Sequence, residues 1–405
     1  MSVVSPPEPP RPDELEALIR EARARQRRRR LISVAAVAVI AAASLSAWAA
    51  VPGLGSGSSS HDRSADVAAS RGIDDAGRVP IVEVGTSGGV TWAINGLNMW
   101  LTTNGGRTWR ASAPQHVRDM GDVIARVQQV DFLDRRHAWL LAVDVSGGLH
   151  PAYARHAELD WTSDGGHNWH WTMPRGCCGD VSFATPRRGF FLGRSRLFST
   201  TDGGRSWTPV ARTPFRWGVP TFVDARHGVA VAGKGRLFST SDGGRRWVSA
   251  HVPPRVGVLP NVARFGHRLV VPAERVGPAS ARLVVYVSDD GGTDWQARPA
   301  PRWWQPVIGS SDSWEFSAAS SSVWYAVGWH KLAVTRDAGK TWRLVKVADL
   351  PTRWTMSAID FTSPLVGWAV FQRASPPDRS VLMRTTDGGV HWTPAGPRKL
   401  KQHRR

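Results

Sequence analysis

The chain is predicted to be an all-β protein, a seven-bladed β-propeller of four-stranded blades preceded by a single N-terminal transmembrane helix. Three observations predict this fold. An eight-residue unit recurs seven times: TTNGGRTW from Thr102, TSDGGHNW from Thr162, TTDGGRSW from Thr200, TSDGGRRW from Thr240, SDDGGTDW from Ser288, TRDAGKTW from Thr335 and TTDGGVHW from Thr385. Its acidic or amide position falls at Asn104, Asp164, Asp202, Asp242, Asp290, Asp337 and Asp387, with successive gaps of 60, 38, 40, 48, 47 and 50 residues. A period of about 40 to 50 residues suits one four-stranded sheet per repeat. Between the units run alternating β-branched and aromatic residues bounded by Gly, Pro and Asp, as in VSFATPRRGFFLGRSRLFSTTDGG from Val181, which is the pattern of strands.

The amino-terminal elements come first. PPEPPRP opens residues 1–30, and Asp13 to Arg30 reads as a helix with Leu15, Leu18 and Ile19 on one face, placing a basic, juxtamembrane segment on the cytoplasmic side. Leu31 to Val51 is 21 residues without a charge, long enough to span a bilayer. Arg23, Arg25 and Arg27 to Arg30 stand directly before it and orient the remainder outward. Ala47-Trp48-Ala49 also fits a cleavage site, so the alternative is a secreted protein cut near Ala49. Both routes export the repeats. Residues 52–78 are Gly/Ser-rich and form a flexible linker, residues 79–396 the propeller, and residues 397–405 a basic tail.

Within each repeat the chemistry follows from residue type. Two glycines supply φ > 0 for a tight turn between antiparallel strands. The Asp folds its carboxylate onto turn N–H groups and the opening Thr or Ser adds a second local bond. The closing Trp, at Trp109, Trp169, Trp207, Trp247, Trp295, Trp342 and Trp392, inserts its indole between neighbouring sheets, where burial contributes about 1.5–3 kcal/mol. Asn104 and Ala338 depart from the pattern, yet Asn bonds locally and tolerates φ > 0. Blade 5 is the weakest match, because NVARFGHRLVV from Asn261 lacks the usual acidic turn. Blades 1 and 7 each hold four strands, so no strand exchange is visible in the sequence, which leaves open how the ring closes.

The formal charge is +19, of which +3 belongs to residues 1–30 and +5 to Gly396–Arg405, leaving +11 for the linker and propeller. An exported basic domain attracts acidic proteins or anionic envelope polymers, and nucleic acid is excluded by the export signal together with the lack of any nucleic-acid module. Cys177 and Cys178 are the only cysteines and are adjacent. They read as a vicinal disulfide, as free buried thiols or as a reactive pair. No His or Cys stands at metal-ligand spacing, and no cofactor motif occurs.

The repeat is the Asp box, and the chain resembles the bacterial-neuraminidase-repeat propellers that carry it. Across residues 79 to 395 it is most similar to the photosystem II assembly factor family of seven-bladed propellers, whose units read F-x-D…GWAVG…T-x-DGG-x-TW. The resemblance implies a structural role for the boxes, a ligand face opposite them built from inter-blade connections, and an assembly or scaffold role without catalysis. Three inter-blade connections carry Arg-Trp: Arg216-Trp217, Arg302-Trp303-Trp304 and Arg353-Trp354. Together these would offer guanidinium forks and aromatic plates to an anionic or glycan partner; alternatively each Trp packs under its blade with Arg covering it.

The alternative class is a sialidase-like exo-glycosidase, to which the box also belongs. Such enzymes use a Tyr nucleophile with carboxylate partners. The three tyrosines are Tyr153, Tyr286 and Tyr325, of which Tyr153 falls in a ligand-face loop, and the acid candidates are Glu158, Glu274 and Glu315. Arg78-Val79-Pro80 is similar to the Arg-Ile-Pro element of sialidases, with Gly77 where an aromatic is usual. A third class, a sensor signalling to the Asp13–Arg30 helix, is disfavoured by the flexible linker.

Overall fold

In the computed structural model seven antiparallel sheets follow one another along the chain as the blades of a propeller. The described residues are 79–115, 117, 125–144, 157–172, 179–193, 195–216, 218–232, 236–250, 256–258, 262–276, 281–300, 315–328, 331–348, 354–373 and 380–398. The tail, anchor and linker expected over residues 1–78, and all but the start of the C-terminal tail, lie outside them. Among the described residues no helix is long and apolar enough to cross a membrane.

Blade 1 runs from Glu83 to Ala111, blade 2 from Ala125 to Thr172, blade 3 from Gly179 to Arg212 and blade 4 from Gly218 to Ser249. Blade 5 runs from Val256 to Pro299, blade 6 from Glu315 to Val345 and blade 7 from Trp354 to Pro394. In each sheet the strands pair in sequence order. Blade 5 differs because two short strands, Val256–Val258 and Ala263–Phe265, pair with the single strand Arg268–Val276. The break between them contains Pro260, which has no N–H for a ladder.

The core is divided among the seven interfaces. Seven apolar clusters each join two neighbouring blades, including blades 7 and 1, and each takes in one of the seven box tryptophans. A recurring triad explains why. Tyr325 on the second strand of blade 6 stacks on Phe361 at 3.5 Å, and Trp392 meets Phe361 edge-on at 6.0 Å. Phe190, Phe222 and Trp247 repeat the arrangement between blades 3 and 4, as do Trp139, Phe183 and Trp207 between blades 2 and 3. Such offset and edge contacts add about 0.5–1.5 kcal/mol beyond area burial. The phenylalanine needs a glycine opposite it, since a Cβ on Gly367 would sit 2.5 Å from Phe361.

Among the described residues the ring closes without strand exchange. Val79 donates its N–H to the Pro397 carbonyl at 2.9 Å, Trp109 Nε1 donates to the Ala395 carbonyl at 2.7 Å, and Trp109 meets Trp368 edge-on at 5.7 Å. Ile81, Val84 and Ala93 of the first blade and its lead-in then pack with Trp368, Val370 and Leu382 of the last.

Candidate functional site

The seven box turns share one hydrogen-bond scheme. In blade 3 the Thr200 hydroxyl accepts the Gly204 N–H at 2.9 Å and donates to Asp202 Oδ1 at 2.7 Å, which in turn accepts the Ser206 N–H at 3.0 Å. The same three bonds occur in the boxes of Asn104, Asp164, Asp242, Asp290, Asp337 and Asp387. In blades 2 to 7 the residue after the acid also donates its N–H to the turn between the first and second strands of its own blade, as Gly388 does to Leu365 at 2.8 Å. Burial works to raise the pKa of Asp202 and Asp387, but the turn donors outweigh it and bring both to about 2. These carboxylates are saturated locally, which leaves little acceptor capacity for a ligand.

Of the Arg-Trp pairs, Arg216 is exposed on a bend between blades 3 and 4, next to buried Phe215, and Trp354 is described in blade 7. Trp217, Arg302, Trp303, Trp304 and Arg353 lie outside the described residues, as do Cys177 and Cys178. Trp354 is 1% exposed and packs in the cluster between blades 6 and 7. The first strand of blade 7 begins at Trp354, a position expected to lie in an inter-blade connection. Its ring is therefore core, not an aromatic plate at the surface.

The tyrosines bear on the glycosidase alternative. Tyr325 is fully buried and donates its hydroxyl to the Pro364 carbonyl at 2.8 Å, and Tyr286 is 2% exposed. Tyr153 and Arg78 fall outside the described residues. Glu158 is on the third strand of blade 2, Glu274 on the strand Arg268–Val276 of blade 5 and Glu315 on the first strand of blade 6.

Sequence reasoning passed over the polar residues on the first strands, which line the centre of the ring. Asp360 accepts from Thr86 of blade 1, from both its N–H and its hydroxyl, and from the Ser317 hydroxyl of blade 6 at 3.1 Å. Gln128 Nε2 of blade 2 donates to Asp180 of blade 3 at 3.0 Å, and Gln129 exchanges two bonds with the Val181 backbone. Ser87, Ser182 and Ser317 each accept the N–H of the phenylalanine in the following blade. Burial pushes Asp180 up to about 6, and burial with the Glu83 charge pushes Glu315 up to about 7. Burial also raises Asp131, partly offset by Arg264, and raises Asp360 against its hydroxyl donors. The signal was available in V-D-F and I-D-F, where an acid precedes the interface phenylalanine at Asp131-Phe132 and Asp360-Phe361. Among the described residues no three His, Cys, Asp or Glu side chains are placed to hold a metal ion.

No family model and no curated protein matches the chain. Solved structures do. One described as YCF48 bound to D1 peptide aligns with a TM-score of 0.51 at 14% identity, covering 76% of this chain and 95% of that one. YCF48 from Cyanidioschyzon merolae aligns with a TM-score of 0.50 at 14% identity over the same shares. The GH74 xyloglucanase from Xanthomonas campestris gives a TM-score of 0.56 at 13% identity over 80% of this chain, which spans 55% of that enzyme. At these identities the likeness is one of fold alone, the β-propeller.

Proposed function

We propose that this chain is a non-catalytic, membrane-anchored binding or assembly scaffold whose propeller faces out of the cytoplasm and holds a protein or an anionic envelope polymer. The observation that carries the reading is the employment of the acids and tyrosines. Asp360, Asp180 and the box carboxylates are occupied in joining blades or closing turns, and Tyr325 and Tyr286 are buried. Among the described residues these groups serve the fold and form no reacting constellation. The peptide bound to YCF48 supports a protein partner, and the +11 charge of the linker and propeller supports an acidic one. Leu31–Val51 serves as the anchor in this reading, and Asp-box turns as fasteners.

The ligand face in this reading is built on Arg216, Arg302 and Arg353, with Trp217, Trp303 and Trp304 beside them and the Cys177-Cys178 turn nearby. Crosslinking of the full-length protein in its own membrane, followed by identification of captured partners, tests the scaffold role. Capture of a defined partner that is lost in the Arg216→Ala, Arg302→Ala, Arg353→Ala variant supports the proposal, and unchanged capture by that variant removes the face from it. Turnover of a fluorogenic sialoside by the purified protein would establish the exo-glycosidase alternative instead.

A further inference from the structure

The seven blade interfaces are alike, so a place where one differs from another is informative. At the outer rim between blades 2 and 3, near the box-turn end, a space of about 180 Å³ is lined by Trp161, Asp202, Gly203 and Arg205. The Arg205 guanidinium sits 4.2 Å from the centre of the Trp161 ring at this position. Trp161 immediately precedes the box hydroxyl of blade 2, and Arg205 immediately follows the glycine pair of blade 3.

Between blades 6 and 7 those two positions are Val334 and Val390. The stack is gone, and a hollow of about 490 Å³ takes its place, lined also by Leu344, Val345 and Ala348. Its size is within the ~300–1,000 Å³ range of ligand pockets. One wall is fixed by the Ala348 N–H, which donates to the Val390 carbonyl at 2.8 Å as the chain crosses to blade 7.

The rim is cationic. Arg336, Arg343 and Lys346 line the hollow and are exposed, and none of the three side chains makes a hydrogen bond or ion pair among the described residues. The single lining carboxylate, Asp387, is engaged by Thr385, Val390 and His391. Beside the hollow, the outer strand Arg343–Val345 pairs on one side only among the described residues, with Lys331–Thr335. Leu344 on that strand is 55% exposed.

We propose that this groove is a docking site for an extended acidic segment of another protein, in which carboxylates alternate with aliphatic side chains. The segment adds to the free edge of the outer strand. Its aliphatic side chains enter the hollow over Val334 and Val390, and its carboxylates meet Arg336, Arg343 and Lys346. The site uses none of the residues of the Arg216 face and does not depend on the scaffold reading.

The test is fluorescence anisotropy of a labelled, capped Glu-Val-Glu-Leu-Glu-Val peptide with the full-length protein, beside the same peptide with Lys for Glu. Binding of the acidic peptide alone, weakening with added salt, is expected. Arg343→Glu with Lys346→Glu should weaken it at least about tenfold. Val334→Trp with Val390→Arg rebuilds the blade 2 and 3 stack and should abolish binding although it adds a positive charge, while Arg245→Ala, at an exposed arginine on the blade 4 turn, should leave binding unchanged. Equal binding of the lysine peptide, no binding at all, or full binding by the refilled variant overturns the proposal. Should the refilled variant fail to fold, the exposed charge pair decides: undiminished binding after its reversal overturns the proposal equally.

Discussion

Thr86 in blade 1 donates to Asp360 in blade 7 through both its backbone N–H and its hydroxyl, the latter at 2.8 Å, across 274 residues of sequence. Asp360 also accepts from Ser317 of blade 6, so one carboxyl links three successive blades at the seam of the ring. Removing it leaves the partners' donors without an acceptor in a part-buried place. Asp360→Ala should lower unfolding stability by about 2–3 kcal/mol and Thr86→Val by about 1 kcal/mol. Urea denaturation followed by tryptophan fluorescence measures both, and an unchanged midpoint for Asp360→Ala would refute this account of the seam.

The box turns give a graded prediction. Thr200→Val leaves the Gly204 N–H unpaired inside the protein and should cost about 2 kcal/mol. Asp202→Asn should cost less than about 1 kcal/mol, because Asn104 makes the equivalent bonds in blade 1, including the Thr108 N–H at 3.1 Å. Reversal of that order in thermal melts would show that the acid, not the hydroxyl, organises the turn.

Ala338 stands at φ 56, the one non-glycine with positive φ among the described residues. An L-residue there carries a steric cost that glycine avoids. Ala338→Gly should therefore raise stability by about 0.5–1 kcal/mol, read from the denaturation midpoint; a loss of stability would mean that the alanine methyl is itself a packing contact in the blade 5 and 6 cluster.

Two sets of carboxyls move stability in opposite directions with pH. Glu315 is raised to about 7 and Asp180 to about 6 from ordinary values of 4.5 and 3.8, in both cases by burial first. The folded state therefore holds their protons more tightly than the unfolded chain. Their contribution is fully present below the ordinary values and is lost as pH climbs to about 6–7. Asp202 and Asp387, lowered to about 2, contribute above 3.8 and are lost as pH falls toward 2. Stability should peak near pH 4–5, and Glu315→Gln should flatten the decline between pH 5 and 7. A decline of equal slope in that variant would exclude Glu315 as its source.

Much of this architecture is legible in the chain because the turn chemistry and the box Trp repeat at blade spacing, and those two features alone number the blades. Less legible was the direction in which a residue points. Trp354 follows Arg353 as Trp217 follows Arg216, yet it opens a strand and is buried; a strand's first residue and a loop's last look the same in one sequence. Asp360 reads as the polar alternate of a half-buried strand, and its role emerges only when Thr86 arrives from the far end of the chain. The hollow between blades 6 and 7 needed a comparison of two interfaces, since nothing marks Val334 and Val390 until Trp161 and Arg205 stand beside them.

The noncovalent seam has a consequence for how the protein is made. Synthesis delivers blade 1 first, with the apolar flank formed by Ile81, Val84 and Ala93 open, and its complement in Trp368, Val370 and Leu382 emerges last. Each intermediate blade covers its predecessor within tens of residues, but this flank waits for nearly the whole domain. Exposed apolar surface held for that long invites association with other chains. The nascent protein is most vulnerable at its oldest blade, and a chain interrupted before Trp368 would carry that uncovered flank permanently.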